Sequence, residues 1–140
     1  MAIKPSVLGH NGGRVMKIFV LDDDHWRIGW FLNTFGARNV DYAHEPIRAI
    51  AKLCLNKYDK IFLDHDLGGA YTRGPNGDGI DVVKVMHEEK LHIDTPIVIH
   101  TMNEEAGKKM EKVLSYEHKN VEVIPFWILS KNYESEKDSE

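Results

Sequence analysis

Three short stretches of the chain place acidic and imidazole side chains directly after apolar runs. Ile18-Phe19-Val20-Leu21 stops at Asp22-Asp23-Asp24-His25, Ile61-Phe62-Leu63 stops at Asp64-His65-Asp66, and Ile97-Val98-Ile99 stops at His100-Thr101-Met102-Asn103. If these runs lie side by side in one sheet, four or five carboxylates and up to two imidazoles meet on one rim. Carboxylates a few ångströms apart repel by roughly 4 kcal/mol per pair at an intermediate dielectric, so something cationic must hold them together. A hard divalent ion with oxygen ligands, Mg²⁺ or Mn²⁺, is the simplest candidate. Taken singly, each stretch has an ordinary explanation. An acidic pair after a strand is often a solvated turn or a helix cap, and a lone histidine is more often hydrogen-bonded structure than machinery. The convergence of three such ends favours a functional site.

The elements that must bring them together are legible as alternating patterns. The apolar runs, joined by Val121-Glu122-Val123-Ile124 and a weaker run near Val40 to Ala43, fit strands buried in a parallel sheet. Between them the period becomes helical. Trp26, Trp30 and Phe31 suggest a first helix, and Ile47, Ile50, Leu53 and Cys54 share a face with Pro46 in the first turn. Ile80, Val83 and His87 form a further stripe, and Ala106, Met110, Val113 and Leu114 another. The order βαβαβαβαβ predicts an α/β fold: a doubly wound, five-stranded parallel sheet in a three-layer sandwich. In such a sheet the ligand site lies beyond the carboxyl ends of the strands, where the strand order switches. Trp26, Trp30, Phe126 and Trp127 are expected in core or rim packing, Lys108, Lys109 and Lys112 on a solvated helix face, and Cys54 inert in its apolar stripe.

At 140 residues and 16.1 kDa the chain is the size of one domain. Residues 1–15 read as a loose, Gly- and Pro-containing arm, 16–130 as the domain, and 131–140 as a polar tail. Eighteen Lys and Arg against 22 Asp and Glu leave a net charge of −4, which argues against an extended nucleic-acid footprint. The single cysteine allows neither an internal disulfide nor a C-x-x-C zinc pair. No run approaches the ~18 apolar residues of a membrane helix and no signal peptide is visible, so a cytoplasmic protein without a membrane partner is expected. The stretch Gly68 to Gly79 holds five glycines in twelve residues. It reads either as a surface loop or as a lid whose backbone amides and Arg73 meet a phosphate. Arg73 and Arg27, the latter in the first helix, are the arginines near the rim.

These residues carry two nested resemblances. Over about residues 16 to 125 the chain resembles response-regulator receiver domains. The acidic pair of Leu21-Asp22-Asp23-Asp24, the strand ending at Asp64, the step Gly77-Asp78-Gly79 and Pro96-Ile97-Val98-Ile99-His100-Thr101 all match that pattern. The resemblance implies a flavodoxin-like fold, metal binding by Asp22 and Asp23, a phosphoacceptor at Asp64 and a phosphate-contacting hydroxyl on Thr101. Receivers carry a lysine, usually before a proline, at the end of the fifth strand, whereas this chain reads Val123-Ile124-Pro125. They also continue into a fifth helix, which is expected here to be short or missing. More narrowly, Leu63-Asp64-His65-Asp66-Leu67-Gly68 and His100-Thr101-Met102-Asn103, followed by Gly107 and Met110, resemble the receiver-like family proposed to process cyclic phosphates.

The narrower resemblance implies a metal-dependent phosphoesterase that opens a small cyclic phosphodiester or a 2′,3′-cyclic phosphate at an RNA end. Asp22, Asp23, Asp64 and Asp66 would then bind Mg²⁺ or Mn²⁺, the ion lowering the pKa of a bound water. His65 and His100 would divide the general-base and general-acid roles, with Asp64 in the catalytic group and His25 in reserve. Asp66 would orient His100 or complete the metal shell, and Thr101, Asn103 and Arg73 would bind phosphate. On that view His100→Ala abolishes activity and leaves the fold intact. The alternative is a stand-alone receiver or pseudo-receiver that binds a protein partner, with Asp64 as phosphoacceptor. A third reading is an adaptor with a structural metal only.

Overall fold

In the computed structural model, which describes residues 10–11, 14–68 and 77–138, two-residue strands β1 (His10–Asn11) and β2 (Arg14–Val15) pair antiparallel ahead of the main sheet. That sheet contains β3 (Ile18–Leu21), β4 (Val40–Ala43), β5 (Lys60–Leu63), β6 (Ile97–Ile99) and β7 (Val121–Val123), all parallel, in the spatial order β4-β3-β5-β6-β7. The connections run through α1 (His25–Phe35), α2 (Pro46–Leu55), α3 (Gly79–Glu88) and α4 (Glu104–Leu114), and α5 (Phe126–Asp138) follows the last strand.

Strand alternation divides the core in two. Phe19, Leu21, Ile61, Leu63, Ile97 and Ile99 face α2, α3 and α4, while Ile18, Val20, Phe62 and Val98 face α1 and α5. All of them are buried, which explains why the three central strands read as unbroken apolar runs. This is the expected doubly wound three-layer sandwich. No helix among the described residues is long and apolar enough to cross a membrane.

Two expectations need correction. The fifth helix is neither short nor missing: α5 extends through residue 138, most of the stretch read as a polar tail. Its spacing explains it, because Phe126, Leu129 and Tyr133 recur at i, i+3 and i+7 and are buried beside α1. The Tyr133 ring packs on Trp30 and Phe35, and its hydroxyl accepts a hydrogen bond from Lys60 at 2.9 Å. Beyond the apolar Phe126-Trp127-Ile128-Leu129, Tyr133 is the one apolar residue that continues the face before a charged end, so the helical period is not obvious. The second correction concerns α2, which buries Pro46, Ala49 and Leu53 with Ile50 partly covered. Ile47 and Cys54 are exposed, because the helix is rolled by about one residue from the stripe of largest side chains, with small Ala49 against the sheet.

Candidate functional site

The sheet register brings the site together. Leu21 pairs with Leu63, and Leu63 with Ile99. The ladder then continues one residue beyond the strands, as Asp64 N–H donates to Leu21 C=O and His100 N–H donates to Leu63 C=O, both at 2.9 Å. Asp22, Asp64 and His100 therefore stand in a row at the strand ends. Because β3 neighbours both β4 and β5, this row lies at the switch point of the strand order.

Each neighbouring side chain is set by a helix start. Asp24 caps α1 by accepting from the Arg27 amide, and its own N–H donates to Asp22 Oδ1 at 2.9 Å. That cap places Arg27 in the first turn, where Nε donates to Asp22 Oδ2 at 2.8 Å and Nη2 to Asp22 Oδ1 at 2.9 Å. Nη2 also reaches Asp64 Oδ2 at 3.2 Å. Asn103 caps α4 through its side-chain oxygen, and its amide faces both oxygens of Asp66 at 3.4 Å. The Asn103 backbone N–H donates to Thr101 Oγ1. At α3, Gly79 N–H donates to His65 C=O at 2.8 Å, and Asp78 accepts from the Leu67 amide at 3.0 Å. A Cβ on Gly79 would strike the Asp64 carbonyl oxygen, so this close approach requires glycine.

Asp22, Asp23 and Asp64 bring carboxylate oxygens within 4.8 Å of one another. Around them a pocket of about 570 Å³ is lined by Asp23, Asp24, Arg27, Asp64, Asp66, Thr101, Met102 and Asn103. Burial alone would raise the Asp22 carboxyl, but hydrogen bonds from His100 and then Arg27, with their charges, pull it down to about 2. Asp64 moves the other way. Its burial, reinforced by the charge of Asp22 and opposed by His100 and Arg27, pushes it up to about 6.

The sequence-predicted residues do not all stand where expected. His100 is not on the pocket surface. Its ring is buried within packing distance of Phe31, Phe62 and Phe126, and Nε2 donates to Asp22 Oδ2 at 2.8 Å. Its Nδ1 is buried without a hydrogen-bond partner. Asp66 accordingly does not orient His100. It accepts from His65 Nδ1 at 2.7 Å and lies outside the three-carboxylate cluster. His25 packs edge-on against His44, whose Nδ1 donates to the Asp22 carbonyl. Thr101 is buried at the pocket wall. Arg73 lies outside the described residues. Arg27 is near the rim as its sequence position suggests, but its role was not foreseen, although an arginine three residues after an aspartate N-cap is placed to turn back onto the strand end.

A profile of the family described as the cyclic-phosphate processing receiver domain matches residues 16–116. The chain belongs to this receiver-domain family. Among curated proteins compared by sequence, none matches. Several solved receiver domains share its fold. The receiver domain of Francisella response regulator 1452 is 20% identical with a TM-score of 0.58, over 89% of this chain and 99% of that one. TrrA of Thermotoga maritima, solved in complex with Mg²⁺-BeF, is 17% identical with a TM-score of 0.62, over 89% and 98%. The phosphorylated cyanobacterial phytochrome response regulator RcpA is 23% identical with a TM-score of 0.58, over 89% and 91%.

The acidic pocket of this receiver domain suits a hard cation, since its donors are carboxylate oxygens. Both Asp22 oxygens already accept two hydrogen bonds each from Arg27, His100 and the Asp24 amide. Asp23 and Asp64 are the carboxylates that would carry the ion, with Asp22 holding the frame behind them.

Proposed function

We propose that this receiver domain accepts a phosphoryl group on Asp64, with a divalent cation held by Asp23 and Asp64, and that a protein partner reads the modified state. The observation that carries this reading is the juxtaposition of Asp64, Asp23 and Thr101 around one pocket at the switch point of the sheet. A carboxyl pushed up to about 6 is ionised, and so nucleophilic, above about pH 6. A bound Mg²⁺ would supply charge neutralisation for the phosphoryl oxygens. Thr101, fixed at the end of β6, offers its hydroxyl hydrogen to the same oxygens. The test is incubation with acetyl phosphate and Mg²⁺, followed by intact mass measurement. A hydroxylamine-sensitive gain of one phosphoryl group, absent from Asp64→Asn, is expected. An unmodified wild-type chain would sink the reading.

A second reading, metal-assisted opening of a cyclic phosphate, is favoured by the description of the family and by the His65–Asp66–Asn103 chain of hydrogen bonds. With Nδ1–H held by Asp66, His65 keeps Nε2 for proton transfer. Buried His100 is poorly placed for that role, which weakens this reading relative to phosphoacceptance. Phosphorus NMR with Mg²⁺ or Mn²⁺ and a panel of 2′,3′-cyclic nucleotides, 3′,5′-cyclic nucleotides and cyclic dinucleotides separates the two. Ring opening lost in His65→Ala would favour the enzyme.

A further inference from the structure

Arg27 is the only cationic side chain lining the pocket among the described residues. Its guanidinium is gripped along one edge, Nε and Nη2 donating to both oxygens of Asp22 and to Asp64 Oδ2. Of the five N–H donors of an arginine, that uses three. The two on Nη1 make no hydrogen bond, the nearest partner being an ion pair with the partly exposed Asp24 carboxylate at 3.6 Å. Burial works against the charged form, yet Asp22 and then Asp64 hold the guanidinium more firmly charged than usual. Meanwhile the end of β7 presents Ile124, partly buried against the α1 and α5 side of the core, where a receiver lysine would offer a charge.

We propose that Arg27 is a phosphoryl-binding residue of this site: Nη1 takes an oxygen of the bound phosphoryl group while the Nε–Nη2 edge stays on Asp22 and Asp64. The clamp fixes the planar fork beforehand, so little side-chain freedom remains to be lost on binding. The inference rests on the phosphoryl reading of the pocket. It also carries an electrostatic consequence of opposite sign for the metal, because a fixed positive charge beside Asp64 opposes a divalent cation there.

The two consequences give the test. Mg²⁺ affinity is measured by calorimetry, and beryllofluoride affinity in saturating Mg²⁺ by fluorine NMR, on the wild-type chain, Arg27→Gln and Arg27→Lys. Arg27→Gln is expected to weaken beryllofluoride by about 10- to 100-fold, the worth of one charge-assisted hydrogen bond, while Mg²⁺ binding is unchanged or tighter. Arg27→Lys keeps the charge without the fork and should fall between; it decides the matter if Arg27→Gln does not fold. Equal beryllofluoride affinity in the variants would overturn the proposal. So would a parallel loss of Mg²⁺ and beryllofluoride, which would make Arg27 a prop for Asp22 and Asp64 only. A wild-type chain that binds Mg²⁺ but no beryllofluoride would instead remove the phosphoryl reading, and this inference with it.

Discussion

Nε2 of His100 lies 2.8 Å from Oδ2 of Asp22, and both side chains are closed to solvent. This contact joins the end of β6 to the end of β3 across β5, so the middle strand's Asp64 is held between two anchored neighbours. Asp22 thereby becomes a buried anion satisfied by an imidazole on one side and a guanidinium on the other.

Breaking that contact should be felt first as lost stability. His100→Ala leaves Asp22 with Arg27 as its remaining ionic partner and opens a void beside Phe31 and Phe126. Removing one partner of a buried pair costs about 3–5 kcal/mol. Urea denaturation at neutral pH should show a loss near the lower end of that range, since Arg27 remains. Unchanged stability would mean that the pair is not closed in solution. Replacing a histidine on the rim would spare the fold; His100 is buried against Asp22, so its loss is felt in the fold itself.

The two buried aspartates impose opposite slopes on stability against pH in metal-free buffer. Asp22, lowered to about 2, contributes stability above its unfolded value near 4, and loses it as pH falls from about 4 to 2. Asp64, raised to about 6, contributes below about 4 and loses that contribution as pH rises from about 4 to 6. Each contribution is of order 2–3 kcal/mol, since a tenfold change in proton affinity is worth about 1.4 kcal/mol. Urea titrations across this range, with EDTA present, should show a rise and then a decline. Asp64→Asn should remove the decline and keep the rise.

Gly79→Ala should damage the site from behind. The added methyl would collide with the Asp64 carbonyl, which belongs to a strand end that cannot retreat without breaking the β3–β5 ladder. A loss of about 1–3 kcal/mol is expected from such overpacking. Calorimetric melting with and without Mg²⁺ should show a lower midpoint and a smaller rise on adding the ion. A variant with wild-type response to Mg²⁺ would mean that α3 can shift freely.

The last helix offers a test away from the site. Tyr133→Ala removes a ring from between Trp30, Phe35 and Lys60, and a loss of about 3 kcal/mol is expected in urea denaturation. A loss below about 0.5 kcal/mol would show that α5 is frayed at this turn in solution.

The sequence by itself determined the sheet. Buried strands need apolar residues on both faces, so Ile18–Leu21, Ile61–Leu63 and Ile97–Ile99 stand out against any background, and the acidic and polar residues after them mark the strand ends. What only the tertiary structure decided is the direction in which each side chain faces once the strands are aligned. Register set Asp22, Asp64 and His100 in a row, but the packing of α1 and α5 closed over His100 and turned an expected acid–base residue into an internal partner of Asp22. Helix faces were legible only in part, because small residues such as Ala49 and Gly79 occupy the closest contacts and leave no hydrophobic signal. α5 escaped for a related reason, since after Leu129 only Tyr133 continues its buried face before a charged end. Arg27 is the clearest case. Its role depends on distances to two carboxylates five and 37 positions away in the chain, and only the fold brings the second of these within reach.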